Sequence, residues 1–165
     1  MSRRSDIFIG LMSGTSLDGA DAVACQFKAD RVQFLGHEHL SYNLSLRKAL
    51  LSLLTSGPDE INRCGQTAIQ LAHFYAQVVK RLLAKLNLTP QDIAAIGVHG
   101  QTIRHCPQLG FTVQLNNPAL LAELTNIDVI ADFRSRDMAA GGEGAPLVPA
   151  FHACIFSGDS PRAIV

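Results

Sequence analysis

The chain has 165 residues, of which 47% are apolar, and its 14 basic and 14 acidic side chains cancel. That suffices for one ordinary domain with a real core, and it argues against disorder and against a polyanionic partner such as nucleic acid. The opening Met-Ser-Arg-Arg-Ser-Asp lacks the apolar stretch of a secretory signal, and the run Ala94 to Val98 is too short for a membrane span and is broken by Gly97 and His99. Cys25, Cys64, Cys106 and Cys154 are widely spaced with no Cys-x-x-Cys pair, which reads as free thiols in a reducing cytoplasm. The adjacent His105 and Cys106 have poor geometry for zinc.

Three β-like stretches open the chain, Ile7 to Met12, Ala20 to Phe27 and Val32 to Tyr42, with Asp30 marking a turn between the last two. They predict an antiparallel trio. A helix is expected from Ser45 as N-cap, with Leu46, Leu50, Leu53 and Leu54 on one face, ending at Ser56-Gly57-Pro58. A long helix follows from about Asp59 to Leu86, and its apolar surface, which includes Ile61 and Cys64, is broad enough to pack on more than one side. Thr89-Pro90-Gln91-Asp92 reads as a one-turn helix start. Ile93 to Val98 is a buried strand, Phe111 to Leu115 another, Asn117-Pro118 starts a helix to about Thr125, and Asp128 to Ala131 is a third buried strand. Gly141 to Pro146 is a loop, Leu147 to Phe156 a helix, and Arg162 to Val165 the start of a new strand. Strands first, then helix and strand in alternation, predict an α/β layered domain whose mixed sheet is antiparallel on one side and parallel on the other. A nascent apolar strand at Val165 suggests the first part of a longer protein.

Ligands of parallel α/β sheets gather at the carboxyl ends of strands. Three polar clusters are expected there: Gly14 to Asp21, His99 to Thr102, and Asp132 to Asp137. The first is a loop of small and hydroxylated residues, with Ser13, Thr15 and Ser16 beside Asp18 and Asp21. Glycine lets backbone amides approach phosphate oxygens closely, and a Cβ at Gly14 or Gly19 would intrude. The loop has neither the Gly-Lys-Ser/Thr ending of a Walker A motif nor a following helix, and a plain polar turn is the competing reading. Arg134 and Arg136 are either a solvated charge pair with Asp132 or Asp137, or a bidentate clamp on a carboxylate or phosphate. His99 is either a core histidine bonded to a backbone carbonyl or a ligand contact. His37, His39 and His73 read as structural.

The segment Gly10-Leu11-Met12-Ser13-Gly14-Thr15-Ser16-Leu17-Asp18-Gly19-Ala20-Asp21 resembles the opening signature of the anhydro-N-acetylmuramic acid kinases. So do Gly97-Val98-His99-Gly100-Gln101-Thr102 and the long block from Ala131-Asp132-Phe133-Arg134 through Gly141-Gly142-Glu143-Gly144 to His152. The resemblance covers nearly the whole chain and implies an α/β fold: a mixed sheet flanked by helices, the first lobe of an actin-like ATPase (ribonuclease H-like) fold. It implies a two-lobed enzyme in which water opens the anhydro bridge of 1,6-anhydro-N-acetylmuramate while the released O6 takes the γ-phosphoryl of ATP. The product would be N-acetylmuramate 6-phosphate, in bacterial cell-wall recycling. Mg²⁺, a homodimer and a cytoplasmic setting are implied as well.

By the same resemblance Gly14, Thr15, Ser16, Leu17, Asp18, Gly19, Ala20 and Asp21 would contact the ATP phosphates, with Asp18 or Asp21 near the metal. Gln101, Thr102, Asp132 and Arg134 would line the sugar end. Residues 1–165 would be the N-terminal lobe, carrying the phosphate loop and part of the sugar site. The family's proposed general base, in an Asp-Thr-Gly-Pro-Gly-Asn segment, would lie beyond Val165, so no catalytic residue is expected in these 165 residues and the fragment alone should not turn over. Two alternatives stand beside this reading: a non-catalytic binding domain of the same fold, and a superfold relative acting on another sugar.

Overall fold

A computed structural model describes residues 5–28 and 31–156. Strand β1 (Ile7–Met12) buries Ile9 and Leu11 on one face and turns Phe8, Gly10 and Met12 to the other, the period-2 pattern of a strand. It pairs antiparallel with β2 (Gly19–Lys28), which pairs antiparallel with β3 (Arg31–Ser41) across a register shift at Ala24/Cys25. On its other side β1 runs parallel to β4 (Ala95–Val98), and β4 runs parallel to β7 (Val129–Ala131). The five-stranded order β3-β2-β1-β4-β7 is the mixed sheet expected, antiparallel at one side and parallel at the other.

Helices α1 (Leu44–Leu51), α2 (Glu60–Leu86) and α3 (Pro118–Thr125) form the layer over one sheet face. α2 buries Leu71, Tyr75, Val78, Val79 and Leu82 completely, and it packs on β2, β3, α1 and α3. Ala20, Ala22 and Ala24 of β2 are small enough to admit it closely. On the opposite sheet face an apolar groove of about 450 Å³ runs between Phe8, Phe27, Ile130 and Phe133, over Gly10 and Gly97. Phe8 and Phe27 meet edge to face at 5.6 Å. Among the described residues no helix is long and apolar enough to cross a membrane.

The structure corrects several local expectations. α1 is capped by Asn43, whose side chain accepts from the Leu46 N–H at 2.8 Å, and Ser45 lies inside the helix. Leu54 and Ile61 are exposed, outside the buried faces. Gln101 and Thr102 are not loop residues. They begin β5 (Gln101–Cys106), which pairs antiparallel with β6 (Phe111–Leu115). Ile103 is the one aliphatic side chain in β5, so no alternation announced the strand. Arg104 ties the hairpin to the start of α2 and to the turn after α1, donating to Glu60 Oε1 and Leu53 O, each at 2.7 Å. The third polar cluster is helical: α4 (Phe133–Ala139) follows Asp132 at once. The last described helix, α5 (Pro149–Phe156), starts at its proline rather than at Leu147. The turn at Asp30 and the strand at Arg162 to Val165 fall outside the described residues.

Candidate functional site

Because β1, β4 and β7 are parallel, their carboxyl ends lie along one sheet edge. The loop after Met12, the turn at His99-Gly100 and the corner at Asp132 therefore converge, as the sequence predicts. Gly100 sits at φ +80°, and a Cβ there would stand 2.8 Å from Leu115 O, so only glycine makes this turn into β5.

The first loop is held from beneath by buried polar groups. Ser13 Oγ lies 2.6 Å from Tyr75 Oη and donates to Gly100 O at 3.3 Å. Gln101 is completely buried; its Nε2 donates to Gly14 O at 3.0 Å and its Oε1 accepts from Tyr42 Oη at 3.3 Å. Burial pushes the Tyr75 phenol well above its ordinary range, so the hydroxyl stays protonated and available as a donor. The family resemblance implies a place for Gln101 at the sugar. The structure places its amide under the loop instead, as a strut for Gly14, while half-buried Thr102 accepts from Gln114 Nε2 at 3.2 Å.

Above these struts Thr15 and Ser16 are exposed, and the turn closes with Leu17 N–H donating to Gly14 O at 3.2 Å. Leu17 adopts φ +53° and buries its side chain, which anchors the loop to the core. Among the described residues the Thr15 and Ser16 N–H groups have no protein acceptor. The Asp18 carboxylate accepts from Ser16 Oγ at 2.6 Å. That bond, with the nearby backbone N–H groups, holds Asp18 below the usual carboxylate range. The glycines differ from expectation. A Cβ at Gly19 would collide with Leu40 O at 2.2 Å, so β3 rather than a ligand demands glycine there. At Gly14 a Cβ would meet only Ser16 Oγ at 3.5 Å, an ordinary contact.

Ala20 is buried in β2, and Asp21 is turned to the edge strand, where its Oδ1 accepts from His37 Nε2 at 2.7 Å and His39 Nδ1 at 3.1 Å. The two carboxylates named as metal candidates thus differ: Asp18 sits in the loop, Asp21 in a hydrogen-bonded cluster with two histidines on β2 and β3. His73 lies on the exposed side of α2. Among the described residues no three His, Cys, Asp or Glu side chains group to hold a metal ion. A phosphate-bound Mg²⁺ needs no such cage, since one carboxylate, water and phosphate oxygens suffice. Exposed hydroxyls, free N–H groups and the ionised Asp18 fit a metal-bound phosphate.

At the second and third strand ends His99 donates from Nδ1 to Gly100 O at 2.7 Å, and its Nε2 accepts from Arg134 Nε at 2.7 Å. Arg134 Nη1 donates to Gly144 O at 2.5 Å. Burial, with the Arg134 charge, lowers the His99 pKa below its ordinary value. Of the two readings of Arg134 and Arg136, the charge pair with Asp132 or Asp137 is absent among the described residues; Asp137 accepts from the Gly144 N–H at 2.8 Å. Beside these groups a cavity of about 280 Å³ is lined by His99, Gln114, Asn116 and Asp132. The contacts of His99 and Gln114 were not readable from sequence, because they join residues 35 and 12 positions apart.

The mixed five-stranded sheet flanked by helices, with loops at the carboxyl ends of β1, β4 and β7 along one edge, matches the first lobe of an actin-like ATPase fold. A sequence profile described as anhydro-N-acetylmuramic acid kinase matches residues 6–165, and the chain belongs to that family. It is 54% identical over 159 residues to the anhydro-N-acetylmuramic acid kinase of Bordetella pertussis, covering 96% of this chain and 42% of that protein. The proteins of the same name from Bordetella petrii and Burkholderia pseudomallei are 55% and 53% identical over 160 residues, which cover 96% of this chain and 42% and 41% of theirs. The chain thus spans about two fifths of the length of the curated relatives it matches.

Proposed function

We propose that these residues form the phosphate- and sugar-binding lobe of an ATP-dependent kinase. The enzyme would convert 1,6-anhydro-N-acetylmuramate, ATP and water to N-acetylmuramate 6-phosphate and ADP, as a cytoplasmic homodimer in cell-wall recycling. The family membership supports the reaction. The observation that carries the site is the loop at the end of β1: exposed hydroxyls and unpaired N–H groups held over a buried polar strut.

In this reading the N–H groups of Thr15 and Ser16 and their hydroxyls hold the ATP phosphates. Gly14 leaves room for close approach. Asp18 is the carboxylate offered to Mg²⁺, which when bound neutralises phosphate charge; Asp21 is occupied by His37 and His39. Phosphoryl transfer depends mostly on positioning and charge neutralisation, which such a loop supplies. At the sugar end Arg134 would face the lactyl carboxylate and Asp132 and Thr102 would line the cavity, while Gln101 contributes through the loop it supports. The general base that the family resemblance implies is not among these residues, so turnover requires the remainder of a polypeptide of the relatives' length.

A chimera tests this. Residues 6–165 replace the matching 42% of the Bordetella pertussis relative, and ADP release is followed with ATP, Mg²⁺ and 1,6-anhydro-N-acetylmuramate. Sugar-dependent ADP release, with one N-acetylmuramate 6-phosphate per ADP, is expected. A folded, inactive chimera beside an active parent would refute the assignment.

A further inference from the structure

We infer that His99 is the positioning residue for Arg134: a neutral imidazole that takes the Arg134 Nε–H and holds the guanidinium with its Nη2 edge free for an anionic ligand group. The inference deepens the reading of Arg134 as a ligand contact and rests on it.

The atoms assign the proton. Gly100 O can only accept, so His99 Nδ1, at 2.7 Å, carries the hydrogen. His99 Nε2 is then a bare lone pair, and Arg134 Nε at 2.7 Å donates into it. Gly144 O takes a second N–H from Nη1. Arg134 is half-buried, always charged, and held by two neutral acceptors. No carboxylate pairs with it among the described residues, although Asp132 and Asp137 lie on the same short segment. A cation so fixed and so unpaired is a site that awaits an anion. Gly100 O also accepts from Ser13 Oγ, so the turn that sets the His99 tautomer is also tied to the base of the first loop.

Protonation of His99 would replace the lone pair with an N–H aimed at a guanidinium, and the contact would be lost. The charged groups facing the ring are Arg134 from α4 and Asp132 from the corner after β7. Among the described residues β6 lines the same cavity with uncharged groups alone, Thr112, Val113 and Gln114, and Ser13 of the first loop reaches Gly100 O rather than the ring. Burial and Arg134 both favour the neutral ring, which places its titration below the ordinary value of about 6.5.

The test uses the 165-residue chain and ¹⁵N NMR. At pH 7.5 the His99 ring should show the Nδ1–H tautomer, and the Arg134 Nε–H should be shifted from that of exposed Arg136. As the pH falls to 5, the Arg134 signal should move with the His99 ring, at one shared midpoint below 6.5. His99→Phe should bring the Arg134 Nε–H to the exposed position, and His99→Gln, whose amide oxygen can accept, should restore it. A proton on Nε2, or an Arg134 signal indifferent to His99 titration and to both variants, would overturn the inference. If His99→Phe does not fold, the wild-type tautomer and the shared midpoint decide alone. Potassium D-lactate is the carboxylate probe: movement of the Arg134 signals supports the ligand role. If the pairing titrates as stated and lactate leaves Arg134 unmoved, the holding of Arg134 stands but the anion assignment on which it rests falls.

Discussion

Replacing Gln101 with methionine asks whether this residue holds the loop or faces a ligand. The side chain is completely buried, and methionine keeps its length without its polarity. The substitution removes the 3.0 Å bond to Gly14 O and leaves buried Tyr42 Oη without its acceptor at 3.3 Å. Gly14 O still accepts from Leu17, so it is not orphaned. One lost bond at about 1 kcal/mol and one stranded buried hydroxyl at about 1–3 kcal/mol sum to roughly 2–4 kcal/mol. In a domain of this size that corresponds to a fall in Tm of about 4–16 °C. Thermal and urea denaturation measure it, and faster exchange of the Leu17 amide should accompany it. A solvent-facing glutamine would cost within about 0.5 kcal/mol. A loss that small, with Leu17 exchange unchanged, would refute the strut.

The neighbouring pair Ser13 and Tyr75 should be strongly coupled. Ser13→Ala strands a fully buried phenol and should cost about 1–3 kcal/mol, whereas the Ser13→Ala/Tyr75→Phe double variant should lose less than the sum of the singles; additive losses in urea melts would show the 2.6 Å contact to be idle. Asp18 should titrate below 3.8 by carboxyl NMR, because Ser16 and backbone N–H groups favour its charged form, and Ser16→Ala should raise the midpoint. Its small contribution to stability is present above the unfolded carboxylate pKa and is lost as the pH falls through the lowered folded value. An Asp18 midpoint unmoved by Ser16→Ala would remove the hydroxyl from the loop's charge control.

Much of the scaffold was legible because burial writes itself into apolar pattern. β1, β6 and α3 lie where the alternation and the Asn117-Pro118 start put them. The convergence of three polar clusters followed from parallel topology alone. β5 was not legible, because its strand is mostly polar and is sustained by pairing with β6 and by the Arg104 contacts. The burial of Gln101 was not legible for a related reason: nothing in the local pattern shows that its amide is satisfied inside, by Gly14 O and Tyr42 Oη. The His99–Arg134 contact depends on β4 and β7 being sheet neighbours, which local pattern does not encode.

The claim that the loop after β1 takes the phosphates is tested most directly at Gly14. Among the described residues a methyl there meets nothing closer than 3.5 Å, so any loss belongs to the ligand rather than to the fold. ATP with Mg²⁺ is titrated calorimetrically into the chimera and into its Gly14→Ala variant, with a thermal melt of each. The account predicts an unchanged melt and ATP binding weakened tenfold or more, which is about 1.4 kcal/mol. Equal affinity for ATP in a variant that melts with the wild type would show that the loop is a plain turn and that the phosphates lie elsewhere.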